Sequence, residues 1–326
     1  MLINYLLIIL NGFVTGIVFI FLLRKFSVRY RVLITQEIPL IGGIAMGLSF
    51  IIACLVGFSL FRSLSQEVRA IIISSFIMLA FGVVDDWKEL SILAKFSVQI
   101  IATALLIFFG VRTQIIHIGN LANIIITFVW VLGISNAFNH LDVMDGAAAG
   151  TALIVSLAFF AIGALNGDIE NTILTLALSS AITGFLIYNK PPAKIYMGNS
   201  GSHFLGFILA AIALAISYAP LERKVALFSP LLILGFPIFD TAFLIFIRLK
   251  NGRSALKKSN DHLVLRLLKL GFSKKRALLF TVAVASFFSF CGVLISQVSN
   301  TFGTAILICV ALVSLGLTRK MSRVSI

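Results

Sequence analysis

Two acids stand side by side at Asp85 and Asp86, in "FGVVDDWKEL", directly behind an apolar run in a chain with only 12 Asp and Glu among 326 residues. Helix punctuation is one reading, with Asp86 an N-cap and Glu89 completing a capping box for the following helix. It leaves Asp85 unexplained. Adjacent carboxylates at a membrane edge repel unless a cation lies between them, and acids at membrane depth are functional by default, so metal or phosphate chemistry is the stronger reading. A second stretch, "NAFNHLDVMDG", places Asn136, Asn139, Asp142 and Asp145 at every third position. On a helix each neighbouring pair shares a face, and four oxygen-bearing side chains along one edge suit a hard cation or the donors of a nucleotide base. A turn-rich loop whose Asn and Asp bond their own backbone is an equal alternative.

"KPPAKIYMGNSGS" (190–202) begins with a proline pair that halts the preceding apolar run and keeps the chain extended. Gly198 and Gly201 let the backbone approach a ligand closely, while Asn199, Ser200 and Ser202 fall where the next helix starts. Free N–H groups at that start suit an anion, with Lys194 nearby as a point charge; simple N-capping explains the same residues. In "DHLVLRLLKL" (261–270), His262, Arg266 and Lys269 lie on one side of a helix, with Val264 and the leucines largely on the other. That pattern fits a short amphipathic helix at the membrane interface. His262 sits in a charged loop away from any span edge, where an imidazole contacts phosphate or moves a proton. Asp240, inside an apolar run, needs a partner to offset its desolvation, and structural and catalytic roles weigh equally.

Membrane spans must position these residues. The chain is 60% hydrophobic, its mean hydropathy is +1.10, and many apolar runs approach the roughly 20 residues that cross a bilayer. The sequence predicts an all-α polytopic transmembrane bundle, a single domain over 1–326. About eleven spans are expected, near 3–23, 39–61, 68–84, 93–110, 121–135, 146–165, 171–188, 203–219, 225–247, 277–296 and 301–317. The first has no basic stretch before it and is followed by Arg24 and Lys25, so it reads as a retained span with its start outside. Basic residues then crowd alternate connections: four in 24–31, two in 88–95, two in 190–194, ten in 248–276 and three in 319–323, which leaves five of the 26 for the other side. By the positive-inside rule the N-terminus is outside and the C-terminus cytoplasmic. The same asymmetry accounts for the net charge of +14 without a nucleic-acid partner. Cys54, Cys291 and Cys309 all fall in predicted spans, which argues against a disulfide framework. If the topology alternates, the connections after spans 3, 5, 7 and 9, the last being the basic loop 248–276 with its short interfacial helix, share the cytoplasmic face and hold the unusual chemistry.

Taken together, these residues resemble the polyprenyl-phosphate N-acetylhexosamine-1-phosphate transferase family. The resemblance runs through "IPLIGG" (38–43), "DD" (85–86) with Lys95 and Gln99, "NAFNHLDVMDG" (136–146), "NKPPAKIYMGNSGS" (189–202), "FPIFDT" (236–241) and "DHLVLRL" (261–267). It implies transfer of a sugar 1-phosphate from a UDP-N-acetylhexosamine to polyprenyl (undecaprenyl) phosphate, with release of UMP. It also implies a multi-pass protein of the inner (plasma) membrane, a cytoplasmic active site, a role in cell-envelope glycan synthesis, and dependence on Mg²⁺, with Mn²⁺ a substitute. On that resemblance Asp85, Asp86 and His262 are catalytic, and Asn139 and Asn199 hold the metal. Asn136, Asp142, Asp145 and Lys194 bind the nucleotide sugar, while Lys95 and Arg266 meet phosphate. A homodimer is left open.

The chain departs from the family pattern at Asn199, where the family carries Asp, at Val143, where it carries Gly after the first Asp, and at Val264 and Leu265, where it carries further histidines. Three rival readings follow. A non-catalytic member would bind prenyl phosphate or nucleotide sugar, with Asn199 as its signature. A transporter for an anionic substrate would need broken helices at mid-membrane. A CDP-alcohol phosphotransferase shares the look of "DVMDGAAAG", but Gly150 stands where its Arg belongs.

Overall fold

Inside a bilayer the backbone finds no water, so each segment must satisfy its own N–H and C=O groups, and the apolar runs accordingly fold as helices. The computed structural model describes residues 2–116, 118–219, 222–254 and 261–324. The chain runs through α1 (Leu2–Tyr30), a small antiparallel hairpin of β1 (Ile34–Thr35) and β2 (Ile38–Pro39), α2 (Gly42–Phe61), α3 (Gln66–Trp87), α4 (Ile92–Phe108) and α5 (Gly119–Leu141). It continues with α6 (Ala147–Leu165), α7 (Ile169–Asn189), α8 (Gly198–Ala215), α9 (Ser229–Ile233), α10 (Gly235–Lys250), α11 (Leu263–Lys269), α12 (Lys274–Gln297) and α13 (Asn300–Met321). Among the described residues, nine single helices are long and apolar enough to cross a membrane. At 17 residues, α4 spans about 25 Å, short of the roughly 30 Å hydrocarbon thickness. The three cysteines are free.

The run at 225–247, expected as one span, is broken. A 3₁₀ turn over Lys224–Phe228 leads into α9, and this first half meets α10 at a bend of 71°. Pro237 has no N–H for the carbonyl of Ile233 four residues back. Ser289 of α12 donates to that carbonyl instead, at 2.9 Å, so the break stays satisfied within the bundle.

The central element is α8, with 83% of its apolar window buried, whereas α13 at 11% lies on the periphery. Packing of α8 against α2, α3 and α5 depends on missing side chains. A Cβ on Gly82 would lie 2.3 Å from Ser200 Cα, and one on Gly43 would lie 2.2 Å from the Gly201 nitrogen. Small residues let membrane helices approach this closely. The hairpin locks the same end of the bundle: Tyr196 N–H donates to Pro39 O at 2.9 Å, and Gly42 and Gly43 donate to Tyr196 O and Met197 O at 3.0 Å each. The starts of α2 and α8 and the ends of α3, α5 and α7 therefore meet.

Candidate active site

The acid pair sits in the last turn of α3, where successive side chains point in different directions around the helix axis. Asp85 turns towards α4: its carboxylate accepts from the Leu90 N–H at 2.8 Å and from Lys95 Nζ at 2.7 Å. Asp86 turns towards α8, accepting from the backbone N–H groups of Asn199 at 2.7 Å and Ser200 at 3.0 Å. Asp86 is thus a cap, but for a helix more than a hundred residues further on; α4 is capped by Ser91, which accepts from Ala94 N–H at 3.2 Å. The capping box with Glu89 does not form. The unpaired N–H groups and positive pole of a helix start favour a carboxylate here. Gly198 makes the approach feasible, because its φ of +74° suits glycine and a Cβ there would lie 2.4 Å from Asp86 Oδ2.

The three-residue spacing of Asn136, Asn139, Asp142 and Asp145 does not produce a single helical edge. α5 stops at Leu141 with Asp142 as its C-cap, so the two acids lie on the turn beyond it. Asn136 Nδ2 donates to Gln99 Oε1 of α4 and to Leu132 O, both at 2.8 Å. Asn139 Nδ2 donates to Asn199 Oδ1 at 3.1 Å and to Ser202 Oγ at 3.0 Å, so both amides expected at the metal are in contact. Burial, with the charges of Asp86 and Asp145 added, pushes the Asp142 carboxyl up to about 7. Asp145 Oδ2 accepts from Ala193 N–H at 3.3 Å and Lys274 Nζ at 3.5 Å. Asn189 fixes this turn by accepting from Gly146 N–H at 3.0 Å and donating to Ile195 O at 2.9 Å. Lys194 is exposed at its rim.

His262 and Asp240 form a buried pair, Nδ1 to Oδ2 at 2.8 Å, and Asp240 Oδ1 accepts the Leu263 N–H at 2.9 Å. One carboxylate thereby fixes both the ring and the start of α11, and Nε2 is left for another partner. The His140 ring, in the last turn of α5, lies 6.4 Å from that of His262. Sequence reasoning missed His140, although it stands inside the polar stretch beside Asn139.

Two expectations fail around α11. It does not float at the interface as an amphipathic helix: His262, Leu263, Val264, Arg266 and Leu267 are all buried. Nor is Arg266 available to phosphate. Nε donates to Asp261 O at 3.2 Å and Nη2 to Asp261 Oδ1 at 2.9 Å. Nη1 donates to Met321 O at 3.0 Å and to Val324 O, and the guanidinium lies 5.3 Å over the Phe243 ring. Residues 255–260 of the predicted basic loop lie outside the described residues.

The connections after α3, α5, α7 and α10 therefore converge on one end of the bundle, through Asp86 with Asn199, Asp145 with Ala193, and His140 beside His262. Fold and site together define a polytopic helical membrane protein whose carboxylates, amides and a lysine gather at one end of the bundle. A family model described as "Glycosyl transferase family 4" matches residues 68–217. The chain is 31% identical over 274 residues, 79% of its length and 74% of the relative's, to a "Probable undecaprenyl-phosphate N-acetylglucosaminyl 1-phosphate transferase" of Bacillus subtilis. It is 32% identical over 308 residues, 83% and 76% of the two chains, to a "Decaprenyl-phosphate N-acetylglucosaminephosphotransferase" of Mycolicibacterium smegmatis. A "Phospho-N-acetylmuramoyl-pentapeptide-transferase" of Streptococcus thermophilus is 28% identical over 199 residues, 55% of this chain and 58% of the relative. The chain belongs to glycosyl transferase family 4, in the branch of polyprenyl-phosphate N-acetylhexosamine-1-phosphate transferases.

Proposed function

We propose that this protein transfers an N-acetylhexosamine 1-phosphate, with N-acetylglucosamine the favoured sugar, from its UDP derivative to a polyprenyl phosphate at the cytoplasmic face of the plasma membrane. The observation that carries the proposal is the placement of Asp86 on the amide groups that open α8, beside the Asp85–Lys95 pair and the contact between Asn139 and Asn199. An oxygen of the lipid phosphate attacks the sugar-proximal phosphorus of the diphosphate. The new P–O bond forms as the bond to the UMP phosphate breaks, and UMP leaves with that electron pair. The lipid phosphate is already anionic at neutral pH, so the site's main task is to hold like charges together.

The donor set fits Mg²⁺. Burial, with the charges of Asp86 and Asp145 added, raises the Asp142 pKa, which marks a place where a cation would offset charge. Asp86 spends two of its about four acceptor positions on N–H groups, leaving the others for a ligand. Among the described residues no cluster of three or more His, Cys, Asp or Glu forms a cage; Mg²⁺ commonly takes one or two carboxylates, waters and substrate phosphates instead. Asp86, Asp142, Asn139 and Asn199 would hold it, and it would supply charge neutralisation and polarisation of the diphosphate. Lys95 holds Asp85 in place and offers positive charge to phosphate. Asp240 fixes the tautomer and orientation of His262, which presents its second nitrogen to a phosphate oxygen or its proton.

Nothing in the structure favours a binding-only protein, since an oxygen acceptor stands at Asn199. Membranes containing the protein, given undecaprenyl phosphate, Mg²⁺ and UDP-N-acetylglucosamine labelled in the sugar, should release UMP and yield an organic-soluble labelled lipid. Absence of both products with every UDP-N-acetylhexosamine, for a chain that still binds the donor, would overturn the proposal.

A further inference from the structure

The end of the bundle opposite the carboxylates carries a separate feature. α2 and α3 are consecutive, yet α2 packs chiefly on α1 and α7, and α3 on α8. Between them a groove of about 610 Å³ opens sideways, its walls made by Ile51, Leu55, Phe58, Ile72 and Ile73, a size typical of ligand pockets. Its mouth is formed by the 62–65 connection, where Arg62 and Arg69 both line the groove. Only five basic residues, these two with Arg112, Arg223 and Lys224, belong to the connections on this side, so two in one groove is a local concentration.

Neither guanidinium makes an ion pair among the described residues; Arg69 Nε donates to Ser65 O at 3.4 Å. Glu170 is engaged by the connection itself, accepting from Ser63 Oγ at 2.6 Å and Ser65 N–H at 2.8 Å. Arg62 also ends α2 with a φ of +51°, a left-handed position that glycine normally takes.

We propose that this groove binds one anionic phospholipid of the outer leaflet, an acyl chain lying between α2 and α3 and the phosphate paired with Arg62 and Arg69. The apolar walls match the chain, and the two unpaired guanidinium groups match a phosphodiester at headgroup depth. The site is distinct from the one where transfer takes place, and it fills the gap that two poorly apposed helices leave open.

Native mass spectrometry of the delipidated full chain tests this, with phosphatidylglycerol and phosphatidylcholine of identical acyl chains as probes. One tightly held phosphatidylglycerol is expected. The double variant Arg62→Gln, Arg69→Gln should weaken it about 30-fold, two basic contacts' worth, while Arg319→Gln with Lys320→Gln, at the other end, leaves it unchanged. Ser59→Trp, which fills the groove and spares both arginines, should displace the same lipid. Equal retention of phosphatidylcholine, an unaltered adduct in the double variant, or an unaltered adduct in the Trp variant overturns the proposal. So does a dimer that dissociates in the double variant and carries no lipid. Circular dichroism and size-exclusion profiles matching the parent chain establish that each variant is folded.

Discussion

Adding a single methyl group at Gly198 tests whether the position of Asp86 matters to catalysis. An L-residue in the left-handed region costs about 1–2 kcal/mol, and that cost arises equally at Gly167, whose φ is +71° against +74° for Gly198. Their surroundings differ. A Cβ at Gly167 meets nothing within 4 Å, whereas one at Gly198 lies 2.4 Å from Asp86 Oδ2 and 3.0 Å from its Cγ. Restoring ordinary contact at 3.4 Å or more pushes the carboxylate back by about 1 Å, which stretches its bonds to Asn199 and Ser200, now 2.7 and 3.0 Å, to the limit of hydrogen bonding or beyond. Misplacing a catalytic group by about 1 Å costs about a hundredfold in rate, or roughly 2.7 kcal/mol. UMP release by the purified Gly198→Ala and Gly167→Ala variants, with their thermal midpoints, separates strain from displacement. Both should lose similar stability, and only Gly198→Ala should lose about two orders of magnitude in kcat. If Gly198→Ala stays within about twofold of Gly167→Ala, the placement of Asp86 on α8 has no part in the reaction.

Asp240→Asn leaves one oxygen for the two donors, His262 Nδ1 and Leu263 N–H, and removes the charge facing the ring, so it should lower kcat by up to about a hundredfold, with a changed pH profile; an unchanged profile argues that the pair is only structural. Arg266→Leu leaves the buried Asp261 with only its longer contact to Arg253, at 3.7 Å, so it should destabilise the protein by up to about 3 kcal/mol while the KM for the lipid phosphate, measured on the folded fraction, stays put. Asn199→Asp keeps the acceptor for Asn139 and adds charge beside Asp86, so the Mg²⁺ concentration for half-maximal activity should fall. Because the Asp142 carboxyl titrates near 7, a proton competes with a cation below that pH. Apparent Mg²⁺ affinity, measured by titration, should rise between about pH 6 and 8, and Asp142→Asn should flatten the rise. The same raised pKa sets a stability sign: the folded state should lose stability as pH rises from the ordinary carboxylate range to about 7, where the loss is complete, and added Mg²⁺ should restore it.

The apolar runs were legible because the bilayer imposes a length and an internally bonded backbone on every span, and each predicted run falls on a helix or helix pair. The break at 225–247 was signalled by Pro230, Gly235 and Pro237, but a hydropathy window averages over them. The convergence of four loops followed from alternation. Which partner each acid takes did not: periodicity assigns Asp86 to a helix face, and says nothing of α8 arriving from more than a hundred residues away. The pattern at 136–145 failed for a related reason, since three-residue spacing implies a shared edge only while the helix lasts, and α5 ends at Leu141. Amphipathicity misled at 261–270 because a polar stripe looks the same whether it meets water or, as for Arg266, a buried carboxylate and the carbonyls of a neighbouring segment.

The anchoring of Arg266 to Met321 and Val324 has a bearing on biogenesis. Ribosomes deliver spans to the membrane in order, so the segment carrying His262 emerges well before the carbonyls that secure it. Until α13 has been inserted, that segment lacks two of its fastenings, and the bonds of Asp240 with His262 and Leu263 must hold it.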